Sequence, residues 1–84
     1  MIKVEFSKSA EKDLLKLPRN KQKLVTKKLI VLKSDPFLGK PLSGKLKGTL
    51  SVRVWPYRVV YEFNHKTRTV MIHRIQHRKE VYRS

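Results

Sequence analysis

Cysteine is absent from this 84-residue chain. No disulfide or thiolate site can staple it, so stability must come from one small core, helped by whatever binds it. Carboxylates are scarce: six Asp and Glu stand against 21 Lys and Arg, a formal net charge of +15. Self-repulsion at that density opposes compactness, so a polyanion or an acidic protein is the expected partner. Long apolar runs are missing, and no stretch is basic on one helical face with Trp or Phe on the other, which argues against a membrane. The first residues, Met-Ile-Lys-Val-Glu-Phe, have the pattern of a strand and not of a signal peptide, and a cytoplasmic protein is expected. Glycine is rare as well, and all three fall between residues 37 and 49.

What is present is one domain's worth of alternating and helical pattern, spanning residues 1–84. Ile2, Val4 and Phe6 alternate with Lys3 and Glu5, as in a half-buried strand. Ser7 or Ser9 can cap a helix whose apolar face holds Ala10, Leu14 and Leu17, with Leu15 beside them. Pro18 ends that helix or begins the next. From Arg19 to Ser34, Leu24, Val25, Leu29 and Leu32 form a second stripe, widened by Ile30 and Val31 and closed by Asp35-Pro36. Residues 37–49 form a loop, with Leu38, Leu42 and Leu46 as its pins to the core. Strands then follow at 50–54, 57–63 and 69–76, separated by Trp55-Pro56 and the polar turn 64–68. The expected fold class is α+β, in the order β-α-α-β-β-β, with an antiparallel sheet packed on an N-terminal helical hairpin.

Charge is unevenly informative. The helix lysines either form a solvated face or steer the protein to a large RNA. A two-residue hairpin at Trp55-Pro56 would set Arg53 directly opposite Arg58, which destabilises a sheet unless the heads splay into solvent or hold an anion between them. Arginine's planar fork suits phosphate oxygens. Lys45 and Lys47 flank this region on the loop. Trp55 either stacks on a base or covers the core edge. The last strand runs into His77, Arg78, Lys79 and Tyr82, which together offer phosphate neutralisation, proton exchange and a ring for stacking. Tyr82 can equally plug the sheet edge. His73 and His77 are four apart on a strand with no further ligand type nearby, so no metal or other cofactor is expected.

The run Leu46-Lys-Gly48, Leu50-Ser-Val-Arg-Val54, Tyr57-Arg-Val-Val-Tyr61 and Ile72-His-Arg-Ile-Gln-His-Arg-Lys-Glu-Val-Tyr82, together with the helical hairpin, resembles the RelE/ParE superfamily of toxins. The terminal basic-plus-tyrosine cluster resembles the RelE branch, messenger-RNA interferases, more than the ParE branch, which poisons DNA gyrase. The resemblance implies the toxin of a type II toxin–antitoxin pair. Its partners would be the ribosome, messenger RNA and an acidic, RelB-like antitoxin. It would be a metal-independent endoribonuclease that cuts messenger RNA in the ribosomal A site by 2′-OH attack. In that pattern Arg58 binds the scissile phosphate, Arg53 neutralises the transition state, and Arg78 and Tyr82 match the tail arginine and tyrosine. Lys47 lies where a basic loop residue is common. His77 and Tyr82 both stay open as the general base. Ser51 stands where one member pattern has lysine, and Gln76 near where a tail arginine is used. The alternatives are a ParE-like gyrase inhibitor and a non-catalytic basic module that binds RNA or DNA.

Overall fold

The computed structural model describes residues 1–81. Strand β1 (Lys3–Phe6) leads into helices α1 (Lys8–Leu15) and α2 (Arg19–Ser34). A two-residue strand β2 (Lys40–Pro41), a 3-10 turn at Gly44–Leu46 and strands β3 (Leu50–Val54), β4 (Tyr57–Asn64) and β5 (Thr69–His77) follow, before a short helix α3 (Arg78–Val81). The five strands form one sheet in the order β1-β5-β4-β3-β2. The two long helices pack on one of its faces, an α+β arrangement.

Helix α1 starts where it does because Ser7 does two jobs. Its Oγ accepts the Ala10 N–H at 3.0 Å, capping the helix, and donates to the His73 carbonyl at 2.9 Å, tying the cap to β5. Helix α2 begins after Pro18, whose carbonyl accepts the N–H groups of Lys21 and Gln22. It buries Val25, Leu29 and Leu32, a spacing of one helical face. The stripe is narrower than the sequence pattern suggests: Leu24, Ile30 and Val31 are exposed, as is Leu15 on α1. These side chains lie on flanks of helices that only one sheet face covers.

Strands β3, β4 and β5 send one row of side chains under the helices, and the β4–β5 pairing carries a register irregularity between Val60 and Tyr61. Val52, Val59 and Ile75 lie side by side and are buried. With Ala10, Leu17, Val54, Tyr61, Val70 and Ile72 they complete the core. Three features depart from the sequence reading. Strand β1 pairs parallel with β5, Lys3 opposite Thr69 through Phe6 opposite Ile72, so the sheet is antiparallel only from β2 to β5. Its place follows from the helical hairpin, which separates β1 from the meander. The loop 37–49 contains β2, and its Leu38 is exposed while Leu42 and Leu46 are half-buried. Strand β5 also runs one residue further, to His77.

Because β1 ends at Phe6, the outer edge of β5 beyond Ile72 lacks a strand partner. Asp13 supplies one in its place. Its Oδ2 accepts the Ile75 N–H at 2.9 Å and the Arg74 Nε–H at 2.8 Å, and its Oδ1 accepts from Arg74 Nη2 at 3.3 Å. Burial alone would raise this carboxyl. The Arg74 hydrogen bond, the Ile75 N–H and the charges of Arg74 and Lys16 outweigh it and hold Asp13 below the ordinary value of 3.8.

On the other side of the sheet, fully buried Tyr61 organises the loop leading to β2. Its hydroxyl donates to the Pro36 carbonyl at 2.8 Å and accepts the Gly39 N–H at 2.9 Å. A Cβ on Gly39 would meet the Ser51 carbonyl and the Tyr61 hydroxyl at 2.8 Å each, so only glycine lets the loop approach this closely.

Candidate nucleic-acid interface

The pairing between β3 and β4 sets Arg53 directly opposite Arg58, and β4–β5 pairing adds Gln76 beside Arg58. Laterally paired residues share a face, and successive residues alternate. The row Arg53–Arg58–Gln76 therefore leaves the sheet on the face away from the helices, one step along from the buried row Val52–Val59–Ile75. Arg53 is exposed and Arg58 half-buried. Arg58 Nη1 lies 3.5 Å from the buried Ser51 Oγ, a long contact that orients the guanidinium more than it neutralises it.

Two clefts border this row. One, of about 380 Å³, is lined by Lys28, Lys40, Ser51, Arg53 and Arg58 together with Leu38 and Val52. Among the described residues four cations and no carboxylate line it, a setting that favours an anion. The other, of about 800 Å³, lies between the loop 43–49 and the outer faces of β4 and β5; Lys45, Leu46, Val60, Arg74 and Gln76 are among its walls. Lys45 thus faces into a cleft, while Lys47, just past the 3-10 turn, is exposed.

A second group gathers at the tip of the β3–β4 hairpin, where the Trp55-Pro56 peptide is cis. The Arg78 guanidinium lies 4.5 Å from the centre of the Trp55 ring, and the Arg78 N–H donates to the Pro56 carbonyl at 2.9 Å. Trp55 is 55% exposed and borders an apolar cleft with Leu24, Val31 and Val54. It seats the start of α3 and keeps one ring face for cation–π contact. His77 belongs to the row Val54–Tyr57–His77, one step from Arg58, and its side chain therefore emerges on the opposite face. Its ring meets Tyr57 edge-on at 5.7 Å, and its Nδ1 accepts the Lys79 N–H at 3.3 Å. That pattern assigns the proton of the neutral imidazole to Nε2. Lys79 is exposed. Tyr82 lies outside the described residues.

The structure thus joins Arg53 with Arg58, and Trp55 with Arg78, at one end of the sheet. His73, by contrast, is drawn to Glu62, 3.2 Å from its Nε2. Among the described residues no three His, Cys, Asp or Glu side chains converge. Sequence reasoning missed Lys28 and Lys40. Lys28 looks like any other lysine of α2. Lys40 reaches the anion cleft only because β2, too short to show a period, pairs it with Ser51.

Over residues 4–82 the sequence matches the family model of the ParE toxin of the type II toxin–antitoxin system parDE. The chain belongs to the RelE/ParE toxin superfamily. It is 39% identical over 82 residues to Toxin RelG of Mycobacterium tuberculosis, covering 95% of this chain and 94% of that one. Its fold is similar to a chain of the toxin–antitoxin complex RelBE2 from Mycobacterium tuberculosis, with a TM-score of 0.84, 36% identity, and coverage of 90% of this chain and 96% of that chain. A chain of the intact E. coli RelBE toxin–antitoxin complex has a TM-score of 0.79 at 18% identity over 92% of this chain and 96% of that chain, a likeness of fold alone. As a member of this superfamily, the chain is a toxin of a type II toxin–antitoxin system.

Proposed function

We propose that this toxin is a ribosome-dependent endoribonuclease that cuts messenger RNA in the A site. The observation that carries the reading is the opposition of Arg53 and Arg58 on the outward face, bordered by Lys28 and Lys40 with no acid among the described residues of the cleft. A sheet keeps two like charges face to face at a cost unless an anion sits between them. A scissile phosphodiester is such an anion, and its charge grows as the reaction proceeds. In the step proposed, a ribose O2′ loses its proton and attacks the adjacent phosphorus, and the P–O5′ bond breaks. The departing O5′ gains a proton, leaving a 2′,3′-cyclic phosphate and a 5′-OH. Arg58 holds a non-bridging oxygen, and Arg53 stabilises the dianionic transition state. Arg78 on Trp55 presents a stacked cation toward the flanking RNA, and Lys45 and Lys79 extend the basic track.

His77 is assigned to seating α3 against Tyr57, because it leaves the sheet on the face away from Arg58. Tyr82 is assigned to stacking or proton transfer on its resemblance to the terminal tyrosine of the RelE branch. The natural inhibitor is an acidic, RelB-like antitoxin, as suggested by the toxin–antitoxin complexes among the similar structures.

The test is induction of the toxin in growing cells with end-mapping of messages. Cuts within codons of translated messages, bearing cyclic phosphate ends, are expected. Arg58→Ala should lower cleavage by about 10²–10³-fold, the scale of one lost transition-state donor, and Tyr82→Phe should also relieve growth arrest. Intact messages with inhibited DNA gyrase would replace this reading with the ParE-like one, which the matched family model favours. RNA binding without cyclic ends would leave a non-catalytic basic module.

A further inference from the structure

Strand β1 ends the sheet on the side opposite β2. It pairs with β5 along one side, and among the described residues no strand pairs with it along the other. The Lys3 N–H donates to the Arg68 carbonyl and the Ser7 N–H to the Ile72 carbonyl, so the backbone groups of residues 3, 5 and 7 face β5. A strand residue's N–H and C=O point to one side, and the side alternates along the chain. The N–H and C=O of Val4 and Phe6 therefore face outward along the open edge.

The side chains of this edge are self-complementary. Ile2, Val4 and Phe6 are half-buried and pack on the core. Lys3 and Glu5 alternate with them, are exposed, and border a cleft with Glu62 and His73 on the other face. Turned about a two-fold axis at Val4, a second β1 would lie antiparallel to the first. Val4 would then face Val4, with two backbone hydrogen bonds between them, and Ile2 would face Phe6. Lys3 of each copy would fall opposite Glu5 of the other, an opposite-charge pair made twice. Among the described residues no ion pair occupies either side chain. The charge nearby also suits a second copy. Across β1 and α1, Lys3, Lys8 and Lys12 stand against Glu5, Glu11 and Asp13, so this segment of a chain with net charge +15 is neutral. Screening over about 8 Å at physiological salt weakens repulsion from the distant lysines.

We infer that the open edge of β1 is a self-association site, where two copies of this chain join their sheets antiparallel about Val4. The joined sheet has β1 beside β1 at its centre and β2 at both ends. Strand β3 lies three strands from the junction, about 14 Å at the usual strand spacing, so the arginine rows of both copies stay open. A second copy matches this edge better than an acidic segment, which would meet Glu5 as well as Lys3. It also matches better than RNA, which has no use for outward backbone N–H and C=O groups in register. Five paired residues make a small junction beside the roughly 1,200–2,000 Å² of a standard interface. The dimer therefore forms reversibly, with concentration. The inference does not depend on how the toxin acts.

The test is sedimentation equilibrium of the full-length toxin, free of antitoxin, over a concentration series at physiological salt. A dimer that grows with concentration is expected. Lys3→Glu alone sets carboxylates opposite one another at both pairs, and Glu5→Lys alone sets ammonium groups there. Each should weaken the dimer at least about tenfold. The double variant, Lys3→Glu with Glu5→Lys, restores opposite charges and should dimerise like the parent. An equimolar mixture of the two single variants should recover a dimer, because each then faces its complement. A monomer at every concentration overturns the inference. So does a dimer that both single variants leave intact, or one that the double variant fails to restore. Should a variant misfold by circular dichroism, hydrogen exchange of the wild-type Val4 amide decides. Slowing of at least about tenfold from low to high protein concentration supports the junction, and an unchanged rate overturns it. Slowing only on addition of antitoxin or of a short oligouridylate overturns it as well, since the edge would then serve another partner.

Discussion

Replacing Arg53 by Thr should stabilise the fold while removing most of the toxicity. The side chain is exposed and pairs directly with Arg58. At such a pair the Cβ atoms are about 4.5–5.5 Å apart, and removing a like-charge opposition returns about 0.2–1 kcal/mol. Threonine also suits a half-exposed strand position at least as well as arginine. For a domain of this size each kcal/mol shifts the melting temperature by roughly 4–8 °C. The expected gain is about 0.5 kcal/mol, or about 2–4 °C. Thermal unfolding at low and high salt is the assay. The gain should shrink near 1 M salt, where the screening length falls to about 3 Å. In parallel, message cleavage should drop by about 10²–10³-fold. A less stable variant at low salt would show that the two arginines do not repel. Full growth arrest by a stable variant would refute the role of Arg53 at the phosphate.

Tyr61→Phe should lower stability by about 2–3 kcal/mol, because it strands the Pro36 carbonyl and the Gly39 N–H in a part-buried site; chemical denaturation measures it. Burial and the nearby Asp35 charge push the Tyr61 hydroxyl above its ordinary 10.0 despite the Gly39 N–H. Its neutral form is therefore favoured by folding, and this contribution is present below pH 10 and lost as pH rises through the folded value. Gly39→Ala should disturb β2 and lower stability, since the added carbon meets a backbone carbonyl and the Tyr61 ring below 3.0 Å; melting temperature and the chemical shift of Lys40 report it. Asp13→Asn should cost about 1–3 kcal/mol near neutral pH. Because Asp13 titrates below its ordinary value in the fold, its contribution is present above about pH 4 and lost as pH falls through the folded value. The variant's stability should therefore converge with the parent's in acid, as pH-dependent unfolding curves can check.

Much of this molecule was legible in its sequence because period and punctuation agree. Alternation in residues 50–54 and 57–63 fixed both strands, and the two-residue spacing at Trp55-Pro56 set Arg53 against Arg58. Helix α2 spans Arg19–Ser34, the run bounded by Pro18 and Asp35-Pro36. What stayed hidden depends on tertiary placement. Two residues, Lys40 and Pro41, carry no periodicity, so β2 and the cation it delivers were invisible. The parallel pairing of β1 with β5 has no local signal either. Neither does the contact between Asp13 and Ile75, which are 62 residues apart. His77 looked like part of one cluster with Arg78 because adjacency in sequence says nothing about face. Strand alternation sends it to the helix side.

The same alternation explains why the arginine pair survives in the fold. A slip of β3 against β4 by two residues would separate Arg53 from Arg58 without changing faces, but it would break the two-residue turn at Trp55-Pro56. A slip by one would turn Arg53 toward the core and Val52 and Val54 toward solvent. Val52 and Val54 are each 6% exposed, and Val59 is fully buried. Exposing a buried valine costs about 1.5–3 kcal/mol, several times the repulsion of about 0.2–1 kcal/mol that either slip would relieve. The core row and the two-residue turn together therefore fix the register, and the register fixes two like charges opposite one another. Neither arginine can move away without unfolding the hairpin. Splaying into solvent and binding an anion both relieve the opposition, and the lysines of α2 and β2 beside the pair favour the anion.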